Sequence, residues 1–485
     1  MPRSFGIHLR NKVDSGGLQS LIFPLQGLGG AKLQRRDFLA MTAAVMAEQS
    51  AMSPAEEVMS SPSGRQSTAP QKLAGISLRE LRKRHQAELF DAYLPFWDRY
   101  GIDHKYGGFM CALDHDGTLV NDNKFHWFQG RGVWVYSFLY NHFSKNPQYL
   151  EIARKTKDFM LAHFPQKDGM WAELVSRDGK LLKPFSGDLF GMYFAAEGLQ
   201  EYAYASGDDE AREMAFRLMK QLFAKQKDPS VPDTETGMMG VRSQGVWMVT
   251  VRTATQMLRR WPDREIAAMA DQSVDAVINK HYNPEFGLDT ETLNLDNSRP
   301  KELANVTVCG HSVETLWMIL DEALRRQDQT LYDLCAERLR HHLDVCWDHI
   351  FGGLADSINV NQGAYQWPVD TPVGTNYQFR EVGEYKWVKT SWSFDEVLIS
   401  TMNVIEHKGS EWAVRYFNLA QDTFDKKMSL KSRGLPLFTG FAERQMAFQP
   451  HVVRQENYHH ARQLMLNLLA LDRMIKREES AAKPG

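Results

Sequence analysis

The chain has 485 residues, of which 43% are hydrophobic and 24% charged, and its formal net charge is −3 at neutral pH. This composition is typical of a soluble globular protein with a sizeable core. The nearly balanced charge gives no basis for a nucleic-acid partner or an anionic membrane surface as partner. No run of about 18 apolar residues occurs, so we expect no membrane-spanning helix. Four widely separated cysteines without a CxxC pair predict free, buried thiols.

The first 75 residues have the composition of a leader rather than of a folded domain. They contain clusters of glycine, serine and proline, such as SSPSGRQSTAPQ at 60–71. Within them, QRRDFL at 34–39 is followed by AMTAAVMA, which is similar to a twin-arginine export signal. Two interpretations stay open: export to the periplasm, or a disordered tail on a cytoplasmic protein.

Residues 76–478 show helical hydrophobic periodicity almost throughout, with turn residues between the segments. The predicted helices lie near 77–99, 127–144, 147–164, 185–206, 208–226, 241–261, 263–281, 308–326, 328–349, 388–408, 410–428 and 456–476. Six consecutive helix pairs predict an all-α fold, the (α/α)6 toroid or six-hairpin barrel, as a single catalytic domain. An open solenoid of the same helices is the alternative, because periodicity does not report ring closure.

Four of these helices combine an apolar back with a narrow polar or aromatic face. His311 and Glu314 share one side of their helix, opposite a cluster of leucine, valine and tryptophan side chains. The other faces carry Trp127 with Arg131, Lys389 with Trp392 and Glu396, and His459 with Arg462. If these faces point to one ring axis, they form an aromatic-walled polar pocket of the kind that binds sugars. The alternative is that they are solvent-facing stripes of ordinary surface helices.

Five short motifs follow one another along the chain with consistent spacing. They are GGF at 107–109, WFQGR at 127–131, GHSVE at 310–314, the pattern Lys389-x2-Trp392-x3-Glu396, and Tyr458-His459-x2-Arg462. From about residue 80 to 475 the chain resembles the N-acylglucosamine 2-epimerase family, which includes cellobiose 2-epimerases. The resemblance implies an (α/α)6 barrel. The chain departs from the family at Ser391, where a second tryptophan is frequent, and in 245–250, where cellobiose-type members carry a histidine.

The resemblance also implies a role for each matching residue. His311 and His459 correspond to the catalytic acid/base pair, and Arg131 corresponds to the arginine that faces the substrate oxygens. The remaining residues expected to bind substrate or to orient a histidine are Glu314, Glu396, Trp392, Arg462 and Trp127. A homodimer and, in some members, a nucleotide effector are further implications, although the chain contains no GxxxxGK[ST] loop.

The residues fit the chemistry of inversion at C2 of a sugar. That reaction removes a proton next to the carbonyl of the open-chain sugar and returns one to the other face, and histidine titrates in the right range for this work. Arg131 would stabilise the enediolate oxygen. Glu314, one turn from His311, would fix the tautomer of that histidine or tune its pKa. No metal or other cofactor is required in this scheme, whose substrates would be sugars of the N-acylglucosamine and N-acylmannosamine type.

Other functions stay open at this point. An aldose–ketose isomerase acting on mannose-type sugars, or a cellobiose 2-epimerase, would use the same residues. A glycoside hydrolase would use two carboxylates, for which Glu314 and Glu396 are the candidates. A non-catalytic sugar-binding protein, and a metal site built from His311, Glu314 and His459, are the remaining alternatives. The loops at 283–306 and 353–388 are the segments expected to cover the pocket.

Overall fold

Twelve helices of ten or more residues dominate the part of the chain that the computed structural model describes, which is residues 70–301, 303–359, 363–364 and 388–482. They are α1 (Leu78–Ala87), α2 (His126–His142), α3 (Pro147–His163), α4 (Phe190–Ser206), α5 (Asp209–Lys225), α6 (Gln244–Arg260), α7 (Arg264–Asp275), α8 (Cys309–Arg326), α9 (Gln329–Cys346), α10 (Ser391–Lys408), α11 (Glu411–Thr423) and α12 (His459–Ala481). π-helical turns extend α1, α7 and α11 at their carboxyl ends. Each predicted helix therefore corresponds to one observed helix.

The twelve helices form two concentric rings. The even-numbered helices make the inner ring, in which each helix contacts the next and α12 contacts α2. The odd-numbered helices lie outside. Each of them packs on the inner helix that precedes it in the sequence, except α1, which packs on α12. Because the inner ring closes, the predicted all-α (α/α)6 toroid is confirmed and the open solenoid is excluded.

The helices of the two rings begin differently. Five outer helices have a side chain that accepts a hydrogen bond from an amide of the first turn, a usual way to satisfy these donors. These capping residues are Ser77, Asn146, Asp208, Asp263 and Asp328. In none of the six inner helices does the N-cap residue itself make such a bond. Asp188 and Glu456, which lie just before α4 and α12, nevertheless accept from the first amide of those helices.

Short strands join the loops that connect the helices, and four of them lead directly into the inner helices α2, α6, α8 and α10. The strands are β1 (Lys72–Leu73), β2 (Ile76–Ser77), β3 (Lys124–Phe125), β4 (Leu174–Val175), β5 (Leu181–Lys183), β6 (Val241–Ser243), β7 (Tyr282–Asn283), β8 (Leu288–Asp289), β9 (Thr292–Asn294), β10 (Val306–Val308), β11 (Ser357–Asn359), β12 (Gly363–Ala364), β13 (Lys389–Thr390) and β14 (Phe441–Ala442). They pair antiparallel as β1-β2, β3-β4-β5, β6-β9, β7-β8, β10-β11-β12 and β13-β14. This pairing fixes where the inner helices start.

Two glycines allow the inner helices α2 and α4 to approach closely. A Cβ atom on Gly130 would lie 2.3 Å from the backbone carbonyl carbon of Phe194, and one on Gly198 would lie 2.4 Å from the carbonyl oxygen of Gly130. Neither neighbour is a movable side chain, so a larger residue would push the two helices apart. The glycine of the WFQGR motif therefore has a packing role.

One structural unit occurs twice along the chain. Asp103 is followed four and five residues later by a pair of glycines, and its carboxylate binds the Nζ of Lys124 at 2.9 Å. Asp348 is likewise followed by two glycines and lies 3.2 Å from the Nζ of Lys389. All four side chains are buried. Each lysine begins the short strand before an inner helix, so the two ion pairs anchor α2 and α10 to the preceding loops.

The predicted leader lies almost entirely outside the described residues, as do the twin-arginine segment at 34–39 and most of the predicted covering loop at 353–388. The first described residues already belong to the fold. Leu73 is fully buried, and the backbone amide of Ala74 donates to the Oδ1 of Asn418 at 2.6 Å. All four cysteines are free and buried, as predicted. No helix among the described residues is long and apolar enough to cross a membrane.

Candidate active site

A cavity lies where the amino-terminal ends of the six inner helices converge. It is lined by Trp127, Phe128, Arg131, Phe190, Phe194, Met248, His311, Glu314, Trp392, Arg454, Glu456 and His459. Each inner helix contributes at least one side chain from its first two turns, and the loop before α12 supplies the other two. Six of the eight residues predicted from the sequence line this one cavity.

His311, on α8, is held through its Nδ1 atom. That atom lies 3.0 Å from the Oε1 of Glu291, which precedes β9 and is buried. Since a carboxylate only accepts hydrogen bonds, Nδ1 carries the hydrogen, and Nε2 is left towards the cavity. Burial disfavours the charged ring, but the charge and hydrogen bond of Glu291, with the charges of Glu235 and Glu314, outweigh it. Together they raise the pKa of His311 to about 10.

His459, on α12, is held in the same way but in the opposite electrostatic setting. Its Nδ1 lies 2.8 Å from the Oε1 of Glu396, whose other oxygen accepts a hydrogen bond of 2.6 Å from the indole of Trp317. Burial and the positive charges of Arg131 and Arg462 outweigh the nearby carboxylates and lower the pKa of His459 to about 3. At neutral pH this ring is therefore uncharged, whereas that of His311 is a cation.

Arg462 lies behind His459 and does not line the cavity. Its Nη2 atom is 2.5 Å from Glu314 and 2.7 Å from Glu396, and 3.1 Å from the Nδ1 of His459. The two hydrogens of Nη2 serve the two carboxylates, which leaves the Nδ1–H of His459 free to donate to Glu396. His459 then presents an unprotonated Nε2, the form that accepts a proton.

The position of Arg462 also bears on the metal-site alternative. Among the described residues, Glu314, Glu396 and His459 bring one ligand atom each within 4.8 Å of one another, which is close enough to hold a metal ion. The guanidinium of Arg462 contacts all three of these residues. A protein cation thus occupies the position that a metal cation would need, so this donor set does not fit a metal ion.

Trp392, at the start of α10, packs against both histidines. Its ring centroid is 5.7 Å from that of His311 and 5.6 Å from that of His459, and the ring planes are inclined by 43° and 44°. A Cβ atom on Gly310 would lie 2.3 Å from the edge of this indole. The glycine before His311 therefore makes room for the indole that contacts both imidazoles.

Arg131 brings a cation to the cavity wall. Its guanidinium lies over Phe194, Tyr458 and Trp127, with its carbon 4.0, 5.0 and 5.4 Å from the ring centroids. It contacts Glu456 at 3.5 Å, and its buried Nε has no hydrogen-bond partner among the described residues. The guanidinium can therefore bind an oxygen atom that enters the cavity.

The side of the cavity formed by α2, α4 and α6 is largely apolar. Trp127 packs on Phe190 and Phe194 with ring centroids 5.6 and 6.0 Å apart, and Met248 from α6 completes this wall. The indole of Trp127 is oriented by a hydrogen bond of 2.6 Å to Asp188. The histidines and Trp392 come from α8, α10 and α12, so the apolar wall and the acid/base groups belong to different halves of the ring.

The structure refines the predicted positions of the carboxylates and of one arginine. Glu396 orients His459, one of the two roles expected of it, but Glu396 and Arg462 both lie behind that ring and do not line the cavity. Glu314 binds Arg462 and affects His311 only through its charge, because the partner of His311 is Glu291. No motif contains Glu291, which lies in the link between β8 and β9 and reaches His311 from there.

The fold and the cavity define an (α/α)6 toroid with two carboxylate-bound histidines in its cavity. Two solved structures that resemble it are a cellobiose 2-epimerase from Bacillus thermoamylovorans (TM-score 0.68, 16% identity, 81% of this chain and 99% of that chain) and a D-mannose isomerase (TM-score 0.63, 13% identity, 82% and 97%). At such identities the likeness concerns the fold.

The chain belongs to the N-acylglucosamine 2-epimerase family, whose model matches residues 107–371. The N-acylglucosamine 2-epimerase of Mus musculus is 26% identical over 290 residues, which are 57% of this chain and 68% of that protein. The prediction of an enzyme of the isomerase class is thereby confirmed at the level of the family.

Proposed function

We propose that the protein is a 2-epimerase that interconverts sugars of the N-acylglucosamine and N-acylmannosamine type through an enediolate. One observation carries the proposal: His311 and His459 come from different helices, line one cavity, both contact Trp392, and have pKa values displaced in opposite directions. Titratable groups whose surroundings separate their pKa values are suited to act as acid and base.

The proposed reaction begins with the open-chain sugar. The uncharged Nε2 of His459 takes the proton from C2, the electrons of that bond form the C1–C2 double bond, and the carbonyl oxygen gains a negative charge. The cationic His311 then gives its Nε2 proton to the opposite face of C2, and the carbonyl re-forms. In the reverse direction the two histidines exchange roles.

Arg131 is the residue proposed to stabilise the enediolate oxygen. Its guanidinium lines the cavity, and its Nε–H has no partner among the described residues. The amino-terminal ends of α2, α6, α8 and α10, whose N-cap residues make no side-chain bond, add positive potential in the same region. The proposal therefore needs no metal or organic cofactor to carry the negative charge.

The apolar wall supports an N-acyl sugar as the substrate. Resemblance to cellobiose 2-epimerases would require a histidine on α6, whereas here that helix gives Met248 to the cavity. Together with Phe190 and Phe194, this side chain suits the methyl group of an acyl substituent better than the hydroxyl groups of a second sugar. Hydrolase chemistry is less well supported, because Glu314 and Glu396 are both engaged by Arg462.

The test follows hydrogen exchange at C2. The chain from residue 70 onwards is incubated with N-acetylmannosamine, mannose and cellobiose in D2O, and the C2 proton is observed by NMR. Deuterium incorporation with formation of N-acetylglucosamine is the expected result. A ketose product from mannose would make the protein an aldose–ketose isomerase, and a C2 epimer of cellobiose a cellobiose 2-epimerase. No exchange with any of the three would refute the enediolate mechanism.

A further inference from the structure

Glu291 is a buried carboxylate that no motif of the chain identified, and its backbone is held on two sides. Its amide donates to the carbonyl of Val306 at 2.8 Å, and its carbonyl accepts a bond of 2.7 Å from the amide of Gln244, the first residue of α6. The side chain is 2% exposed and reaches the Nδ1 of His311. A carboxylate fixed in this way holds a histidine ring in one orientation.

The two histidines are each paired with a carboxylate, but the two pairs differ in charge. Glu396, the partner of His459, also binds the guanidinium of Arg462 at 2.7 Å, which offsets its negative charge. Around His311 the additional groups are carboxylates, Glu235 from the loop before β6 and Glu314 on α8. A hydrogen bond from Nδ1 to a carboxylate is therefore accompanied by a raised pKa at His311 and a lowered pKa at His459.

We infer that Glu291 is a positioning residue of the reaction, which holds the Nδ1–H of His311, directs Nε2–H into the cavity and makes His311 the proton donor of the enzyme at rest. The inference rests on the proposed function. It adds which histidine is the acid and which is the base before substrate binds. His459, whose carboxylate is offset by Arg462, is then the base that acts first. The sugar epimer whose C2 hydrogen faces His459 is the one that the resting enzyme accepts directly.

The charged groups around His311 determine the pH at which it loses its proton. Glu291, Glu235 and Glu314 stabilise its cationic form, while Arg131, Arg454 and His459 line the same cavity and Trp392 contributes no charge. Because these carboxylates raise the pKa of His311, the donor form is present at neutral pH and is lost as the pH rises. Removing the charge of Glu291 lowers the pKa of His311, so its protonated form is lost at a lower pH.

The test compares Glu291→Gln with Glu291→Asp. The side-chain amide introduced by Glu291→Gln still accepts a hydrogen bond but carries no charge, so we expect the alkaline limb of kcat/KM to move down by about 1–3 pH units. Above the new limb, activity falls about tenfold for each pH unit. Glu291→Asp keeps the negative charge but brings the carboxylate less close to the Nδ1 of His311. We therefore expect a lower kcat and an alkaline limb of kcat/KM at the same pH. If Glu291 only supported the fold, Glu291→Gln would reduce kcat/KM by the same factor at every pH and would not move the alkaline limb.

A second measurement does not depend on turnover. NMR titration of 15N-histidine-labelled protein reports the pKa of His311 directly, and we expect Glu291→Gln to lower it. Glu235→Gln, which removes a nearby charge without the hydrogen bond, is the matched control and should lower it less. An unchanged pKa in folded Glu291→Gln, or equal shifts in the two variants, would overturn the inference. If the wild type exchanges no C2 hydrogen, the proposed function fails while the titration still decides the role of Glu291.

Discussion

At the scale of single residues, the charges around the two histidines differ: Arg131 and Arg462 lower the pKa of His459, whereas carboxylates raise that of His311. Both rings donate through Nδ1 to a buried carboxylate, and the carboxylate beside His459 also binds the guanidinium of Arg462. That guanidinium also repels a positive charge on His459 directly. Two similar hydrogen bonds, of 3.0 and 2.8 Å, thus accompany a cationic ring at His311 and an uncharged ring at His459.

The pH dependence of the enzyme follows from these two charge states. The base must be uncharged, so activity falls below the pKa of His459, which is lowered to about 3. The acid must be charged, so activity falls above the pKa of His311, which is raised to about 10. We expect kcat/KM for C2 exchange to be flat from about pH 4 to pH 9, since each limb extends only about one unit towards the plateau. A limb between pH 6 and pH 7, the ordinary range of histidine, would contradict this assignment.

Replacing the proposed base should remove the chemistry without removing the fold. We expect His459→Asn to reduce the rate of C2 exchange by about 10²–10⁴-fold, the usual contribution of a positioned base. His460→Asn is the matched control on the neighbouring residue. The His460 ring binds Asp395 at 2.8 Å and stacks on Phe424, so its loss should cost about 1–3 kcal/mol of stability and leave the exchange rate of the folded protein unchanged. A glycoside hydrolase would retain turnover in His459→Asn.

The cavity residues that belong to motifs were predictable from the sequence. Glu291, which reaches the site from a loop, was not. Motif positions and helical faces brought His311, His459 and Arg131 together, because all three lie near the starts of inner helices. Glu291 is distant from His311 along the chain and lies in no periodic segment. Its partnership depends on how the loop before β9 packs on α8, which local patterns do not encode.

At the scale of elements, the close approach of α2 and α4 depends on glycine. We expect Gly130→Ala to lower the free energy of unfolding by about 1–3 kcal/mol, because the new methyl group meets the backbone of α4. Gly440→Ala is the control, since the nearest atom to its added Cβ is 3.9 Å away. Denaturant unfolding of the two variants measures the difference. Equal stabilities would show that the two helices can separate at no cost.

The outer helices were predictable because each buries one face at a helical period. The inner helices α2 and α4 are buried on nearly all sides, so the turn residues between segments, rather than a polar face, delimited them. Periodicity alone did not predict closure of the ring, which the family resemblance implied, since closure depends on the contact between α12 and α2 near opposite ends of the folded chain. The strands of two or three residues were missed for a related reason. They are too short to show alternation, and they exist only because the loops at one end of the ring pair with each other.

At the scale of the whole molecule, the hairpin of β1 and β2 marks where the chain joins the toroid. Two chains, one that begins at residue 70 and one that begins at residue 78, test its contribution to stability. A chain that begins at residue 78 loses the buried Leu73 and the bond from Ala74 to Asn418, which should cost about 1.5–3 kcal/mol for the leucine alone. Thermal unfolding of both distinguishes them. Equal midpoints would place the hairpin outside the cooperative unit.

The repeated unit of aspartate, glycine pair and lysine extends into the helices that follow it. Three residues after each lysine stands a cavity tryptophan, Trp127 in one copy and Trp392 in the other. Seven residues after each lysine the copies differ in sign, with Arg131 in the first and Glu396 in the second. In the proposed reaction, the first copy receives the negative charge of the enediolate and the second orients the base. If the two copies were identical, the site would contain either two arginines or two glutamates at these positions. The change from Arg131 to Glu396 therefore gives the site both a cation for the enediolate and a carboxylate for the base.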